Sequence, residues 1–231
     1  MAESSRLRWR KLSDEVAATL RRMILVGELT PGSRVTQDEL ARRLGVSTMP
    51  VREALLRLAT EGFVEAAPNR SFTVVRTARS DIHDIYWMHA KLAGELTSRA
   101  CAHADAELVQ TLRKLSDRCQ QAHDEKNAAE METANWAFHR AINLAADAPK
   151  LLLILRTSLR FIPDDFYARI PGWPEASSQG HGQIVTAFEQ RDPEAARAAA
   201  EAHVHQAGTL LTAYFSGTGF WTRPAAGDGH E

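Results

Sequence analysis

Between Ser13 and Val75, glycine and proline cut the chain into pieces that fit only short helices and a hairpin, and this punctuation constrains the fold more than any other feature. Ser13, followed by Asp14 and Glu15, reads as an N-cap. Val16, Leu20 and Ile24 then recur at i, i+4 and i+8, which predicts a first helix ending near Gly27. The turn Thr30-Pro31-Gly32 leads to Val35, and Thr36 with Glu39 has capping-box spacing ahead of Leu40, Ala41 and Leu44. Gly45 is placed to end that second helix in the left-handed conformation. Ser47 or Thr48 caps a third helix, with Pro50 in its first turn and Val51, Leu55 and Leu58 on its apolar face before Gly62. Phe63-Val64, Pro68-Asn69-Arg70-Ser71 and Phe72-Thr73-Val74-Val75 then read as a two-stranded hairpin with a basic tip. Each part alone is commonplace. Their order, with a turn of about four residues between the second and third helices, is that of a winged helix-turn-helix.

The charge distribution agrees with this reading. The 231-residue chain has a formal net charge of −1, but residues 1–77 hold 13 Lys/Arg against 9 Asp/Glu, leaving 15 against 20 for the rest. A basic head on an acidic body suits a DNA-binding module, because phosphate neutralisation supplies most non-specific affinity for DNA. The N-terminus is charged throughout, with no apolar core of a signal peptide, and no run of apolar residues is long enough to span a bilayer. The expected location is the cytoplasm. Cys101 and Cys119 match neither metal-binding nor disulfide spacing and read as free thiols.

From Ser80 onward strand signals vanish and long helical windows follow one another, near 80–103, 106–124, 127–146, 149–162, 176–190 and 193–215, with an irregular link around Pro171-Gly172-Trp173-Pro174. Asp192-Pro193 has the form of a cap and first-turn proline. The fold class is therefore mostly α: the winged head over 1–77, an antiparallel all-α bundle of six to seven helices over 78–217, hinged at Arg76-Thr77-Ala78, and a disordered tail over 218–231. Within the bundle, polar residues stand where apolar ones belong. Asn135 and His139 lie one turn apart on one helix, His181 precedes Ile184, Val185 and Phe188, and His203 sits among Ala199, Ala200, Ala207 and Leu210. Inward polar groups need partners. Spacing alone leaves two answers open, histidines satisfied by one another and by backbone, or a metal site.

The run from Leu40 to Leu58, LARRLGVSTMPVREALLRL, together with Leu29-Thr30-Pro31-Gly32 and Glu61-Gly62-Phe63-Val64, resembles the signature of GntR-superfamily regulators. The resemblance implies that Arg52, near the start of the recognition helix, reads a guanine in the major groove, as a bidentate arginine does. It places Ser47, Thr48 and Met49 beside bases and phosphates, and Arg70 of the wing on the minor groove or backbone. Ser71 departs from the wing glycine of many relatives.

Residues 80–215, through Asn135 to Ile142, His181 to Asp192 and His203, are similar to the FCD ligand-binding domain of the FadR subfamily. There an Asp and three His converge on a divalent metal, which implies His139, His181 and His203 as ligands here, with Asn135 in the place of the Asp. An amide ligand is neutral, so the ion's charge is left uncompensated and an anion is drawn in. Zinc is the expected metal, with nickel or another transition ion also suited to imidazoles. His89 and Ala93 stand where many relatives carry an arginine and a glutamate. His89, Arg160 and Tyr167 are the candidate effector contacts, with Arg156, Arg169 and Trp173 as further possibilities. The resemblance thus implies a transcriptional repressor, not an enzyme, that binds a palindromic operator as a homodimer and is released by a small organic acid at the metal. The competing readings are a metal-dependent hydrolase and a regulator whose metal is purely structural. No His-Glu-x-x-His run, Gly-x-Ser-x-Gly elbow or phosphate loop supports the first.

Overall fold

The computed structural model describes residues 2–68, 71–158, 167, 170–218 and 220–222, and the chain divides into two compact units. One comprises residues 1–78 with the chain end from Phe215, the other residues 79–214.

In the first unit, helix α1 runs from Ala2 to Leu25, so Ser13 is a buried residue inside the helix rather than its cap. The segment ahead of Ser13 is rich in Ala, Glu, Leu, Arg and Lys and contains no Gly or Pro, so nothing stops the helix from extending. Helix α2 spans Gln37–Leu44; Thr36 caps it, accepting from the Glu39 amide at 3.2 Å, and Gly45 ends it with φ 68°. Helix α3, Thr48–Thr60, begins after Ser47, which holds the N-cap position without a side-chain hydrogen bond. Val16, Leu20 and Ile24 of α1 are buried, as are Leu40, Val51, Leu55 and Leu58. The three helices therefore share one apolar centre. The wing differs from the expected hairpin by one strand. Strands β1 (Arg34–Thr36), β2 (Val64–Ala67) and β3 (Ser71–Val74) form an antiparallel sheet in the order β1-β3-β2, with Phe72 paired to Val35 on one side and Ala66 on the other. Val35 alone gives too short a period to read as a strand; its pairing to Phe72 is what makes it one.

The second unit contains, among the described residues, helices α4 (Arg79–Ala102), α5 (Ala106–Asp124), α6 (Ala128–Ala145), α7 (Pro149–Ser158), α8 (Trp173–Gln190) and α9, which runs from Pro193 to Gly217 and leaves this unit after Tyr214. Side-chain caps at Asp105, Asn127 and Asp192 start α5, α6 and α9. The short connections between α5 and α6 and between α8 and α9 reverse the chain, so neighbours run antiparallel. Leu96, Leu112, Phe138, Ile142, Leu155, Ile184 and Phe188 form the core. Helix α8 starts earlier than expected: Gly172, at φ 79°, turns the chain, Pro174 fits the first helical turn where no amide is needed, and Trp173 is buried. The chain end is also more ordered than expected at one point, since Phe220–Thr222 form a 3-10 turn in which Phe220 stacks on Phe215 at 4.4 Å. Residues 223–231 of the expected tail lie outside the described residues.

Candidate functional site

Two faces carry the candidate residues, one in each unit. On α3 the helical period sends Val51, Leu55 and Leu58 inward, which leaves Ser47, Thr48, Met49 and Arg52 exposed over the first turns. Thr48, Arg52 and Leu56 follow one another at i, i+4 and i+8 along that outer stripe, and Leu56, 48% exposed, is a residue that apolar patterning assigned to no role. Arg57 pairs with Asp14 at 2.5 Å and Arg43 with Glu28 at 2.6 Å, so both have intramolecular partners, while Arg42 is exposed. Arg70 lies outside the described residues. Beside it, Ser71 is buried, donates to the Pro68 carbonyl at 2.7 Å and accepts from Arg34 Nε at 2.7 Å, while Arg34 Nη2 reaches the same carbonyl at 2.9 Å. A hydroxyl and a guanidinium thus converge on the Pro68 carbonyl.

In the helical unit, α6 supplies Asn135 and His139, α8 His181 and α9 His203. One ring nitrogen of each histidine lies within 4.8 Å of the others, and the His139 and His181 Nε2 atoms are 3.3 Å apart. Ring centroids are 5.1 Å, 5.2 Å and 5.1 Å apart, close to an equilateral triangle. His181 is wholly enclosed, stacked on Phe138 at 4.0 Å, and its Nδ1 has no hydrogen-bond partner. Asn135 Oδ1 accepts from Ser177 Oγ at 3.3 Å, which ties it to α8. Helix α9 approaches α8 at Gly180, where a Cβ would stand 2.3 Å from His203 Nδ1. Only glycine leaves room for that ring.

Burial keeps these imidazoles neutral. His203 is pushed down to about 4 by loss of solvation. His139 and His181 are held well below the usual histidine range, first by burial and then by the neighbouring imidazoles. A neutral imidazole with a bare ring nitrogen is a metal ligand. Three such donors converging, one of them with a buried nitrogen left unpaired, fit a divalent transition ion.

His139 and His203 form part of the wall of a cavity of about 150 Å³. One stripe of α4 lines it with Tyr86, His89, Ala93 and Thr97, at spacings of three or four residues. Facing stripes come from α6 with Asn135 and Ile142 and from α9 with Ala200, Val204 and Ala207. Tyr167 and Trp173 close one side, 5.4 Å apart, and the Tyr86 and Tyr167 hydroxyls meet at 2.7 Å. Burial lowers His89 to about 4, with the nearby His203 adding to it. Burial and Tyr167 raise the Tyr86 phenol well above its usual value. Of the candidate effector contacts, His89 and Tyr167 line this cavity, Arg160 and Arg169 lie outside the described residues, and Arg156 is exposed and lines none of it. Sequence reasoning passed over Tyr86, Glu132 and Gly208, the last of which makes room for the Tyr86 ring at 2.6 Å. Glycines inside long helices were the available signal, since glycine costs a helix about 1 kcal/mol relative to alanine unless close packing needs it.

Comparison with known proteins follows the same division. Residues 12–74 match the family described as bacterial regulatory proteins, gntR family, and residues 84–206 match the FCD domain. The Nta operon transcriptional regulator of Aminobacter aminovorans is 30% identical over 179 residues, covering 76% of this chain and 83% of that protein. The HTH-type transcriptional regulator McbR of Escherichia coli is 26% identical over 201 residues, covering 85% and 91% respectively. The solved structure of E. coli McbR/YncC superimposes with a TM-score of 0.64 over 88% of this chain and 98% of that one, at 24% identity. Among the described residues no helix is long and apolar enough to cross a membrane.

Proposed function

The chain belongs to the GntR family of bacterial regulatory proteins and carries an FCD domain, and on that premise we propose that it is a repressor that a small carboxylate releases from its operator. The matched families and relatives are transcriptional regulators rather than enzymes, which sets the hydrolase reading aside. In this proposal residues 1–77 bind DNA, residues 78–217 hold the effector and pair the chain into a homodimer, and each head of the dimer takes one half-site of a palindromic operator in the cytoplasm. Arg52 reads a guanine edge, with Ser47, Thr48 and Met49 at the exposed start of the same helix and Arg70 at the wing.

The observation that carries the effector half is the convergence of His139, His181 and His203 beside a cavity. These three, with the Asn135 amide oxygen, would hold a divalent ion, zinc being the first choice. When bound, the ion supplies a positive centre to which a carboxylate can bond. The protein's own residues do the rest. Burial keeps the imidazoles unprotonated at neutral pH, and Phe138 and Gly180 fix the His181 and His203 rings. None of the four ligands carries charge, so an anionic effector is favoured over its amide.

The test uses the zinc-loaded full chain and an operator selected from random duplexes. Fluorescence anisotropy should show tight binding that a carboxylate weakens, with a coupling of about 1–3 kcal/mol, or 5- to 150-fold. Replacing His181 by Ala should abolish the release while leaving operator binding. Release that persists in the His181 variant overturns the metal-anchored effector, and zinc uptake with no response to any carboxylate favours a structural metal.

A further inference from the structure

Helix α3 turns two long apolar side chains outward on the face that the DNA-binding reading gives to the groove. Among the described residues of the first unit, the well-exposed large apolar side chains are Val26, Met49 and Leu56, at 38%, 51% and 48%. Met49 and Leu56 are seven residues apart on α3, which brings them within about 20° of one another around its axis. They stand across the helix from the buried row of Val51, Leu55 and Leu58, so the exposed apolar atoms form a stripe rather than a scatter. Met49 is the second residue of α3. The exposed Arg52 follows within one turn, about 4.5 Å farther along the axis.

We propose that Met49 is a specificity determinant that reads thymine, covering the C5-methyl group of a thymine beside the guanine given to Arg52. The inference rests on the DNA-binding function proposed above and adds to it the identity of a second base. A thioether has no N–H or O–H to donate and only a weak lone pair to offer. Met49 can therefore neither neutralise a phosphate nor match the donor and acceptor edges of guanine, adenine or cytosine. In the major groove the thymine methyl is the apolar group that a base pair presents. Covering it removes apolar surface of both partners from water, and the unbranched methionine chain adapts to an irregular gap. Position selects Met49 over Leu56, because the N-terminal residues of a recognition helix meet base edges, and Leu56 lies about 10.5 Å farther along the axis. An offset of about 4.5 Å from Arg52, against about 3.4 Å per base pair, puts the thymine about one or two steps from that guanine.

The experiment is a uracil scan. An operator is selected from random duplexes with the unsubstituted full chain, and each thymine of one half-site is exchanged in turn for uracil, which keeps every hydrogen-bonding group and loses only the methyl. Anisotropy titrations should single out one thymine, about one or two steps from the guanine at which Arg52→Ala relaxes preference. Uracil there should weaken binding by about three- to tenfold, the worth of one buried methyl. Met49→Ala should bind the thymine and uracil duplexes equally. Met49→Leu should keep the discrimination, and so should Val26→Ala, which truncates an exposed apolar side chain outside α3. Thermal melts should match across the variants, because both positions are exposed. A scan in which no thymine near that guanine responds overturns the proposal, as does a uracil penalty that survives Met49→Ala. If Met49→Ala instead shifts self-association in sedimentation and leaves the scan unchanged, the side chain serves a protein contact and the proposal is overturned. Failure to select any operator overturns the DNA-binding reading itself, whereas a selected operator indifferent to uracil overturns only the methyl contact.

Discussion

Replacing Gly180 by Ala should loosen the metal site without touching a ligand. The added methyl would stand 2.3 Å from His203 Nδ1, 3.0 Å from its Cγ and 3.1 Å from its Cβ. Non-bonded heavy atoms settle at about 3.5–4.0 Å, so the ring has to retreat by about 1 Å. Ligand distances in a metal site tolerate only about 0.2 Å. The retreat therefore costs His203 its place in the triangle, and zinc affinity should fall by about 10- to 100-fold, the usual effect of disturbing the groups that hold a ligand. Stability of the metal-free chain changes less. Overpacking costs about 1–3 kcal/mol, and the better helix propensity of alanine returns about 1 kcal/mol. Gly182→Ala is the control, because it lies on the same helix with nothing within 4 Å of its Cβ position. That substitution should gain up to about 1 kcal/mol in a denaturant melt and leave zinc affinity alone. Competition against a chromophoric zinc chelator reads both variants. Equal zinc affinities for the two would show that the contact at Gly180 does not position His203.

The other predictions concern the remaining parts of the machine. Arg52→Ala should lose about 1–3 kcal/mol of operator affinity and relax preference at one guanine, which anisotropy across single-base operator variants measures. Asn135→Asp should keep or tighten zinc, since a carboxylate replaces a neutral amide, and should weaken the preference for a carboxylate over its amide; tighter carboxylate binding in that variant would refute the charge argument. Ser71→Ala removes the two hydrogen bonds of the Ser71 hydroxyl and should destabilise by about 0.5–1.5 kcal/mol in a denaturant melt, because Arg34 and Pro68 are exposed and keep their own hydrogen bond. Metal-free protein should lose stability on acidification. His89 and His203 titrate near 4 when folded and near their ordinary 6.5 when unfolded, so the unfolded chain takes up protons first as pH falls through 6.5, and the loss ends below 4. At pH 5 this amounts to about 2 kcal/mol per histidine, and urea melts of the unsubstituted chain and of His89→Asn at pH 7 and pH 5 would show a smaller loss in the variant.

The charge on the histidine site explains why Asn135 matters more than its single atom suggests. A carboxylate at that position would neutralise half the charge of a divalent ion before any effector arrived. In the proposed site the amide, bonded to Ser177, would leave that charge for an effector to balance. The same logic runs through the cavity, where His89 is kept neutral by burial and the tyrosine pair is uncharged. A metal held by the histidines would then be the main source of electrostatic attraction for an anionic effector in this cavity.

How much of this could be read in advance divides by the kind of information each feature needs. Helical periodicity decides which residues face inward, and it placed Val51, Leu55, Leu58, Ile184 and Phe188 in their cores without any structure. Turn chemistry did the same for Gly45, Thr36 and Asp192, because a left-handed φ and a bare helix amide are local requirements. Features that depend on distance between elements were invisible. Strand β1 exists through its pairing with β3, far along the chain, and α1 starts at Ala2 because no residue stops it rather than because one starts it. Gly180 is the clearest case. As a letter it reads as a weak point in a helix, and the close approach of His203 turns it into the residue that allows three imidazoles to meet. Periodicity gives the direction of a side chain. The separation of two helix axes is set by the smallest residue between them, and that residue is recognised only once its opposite number is known.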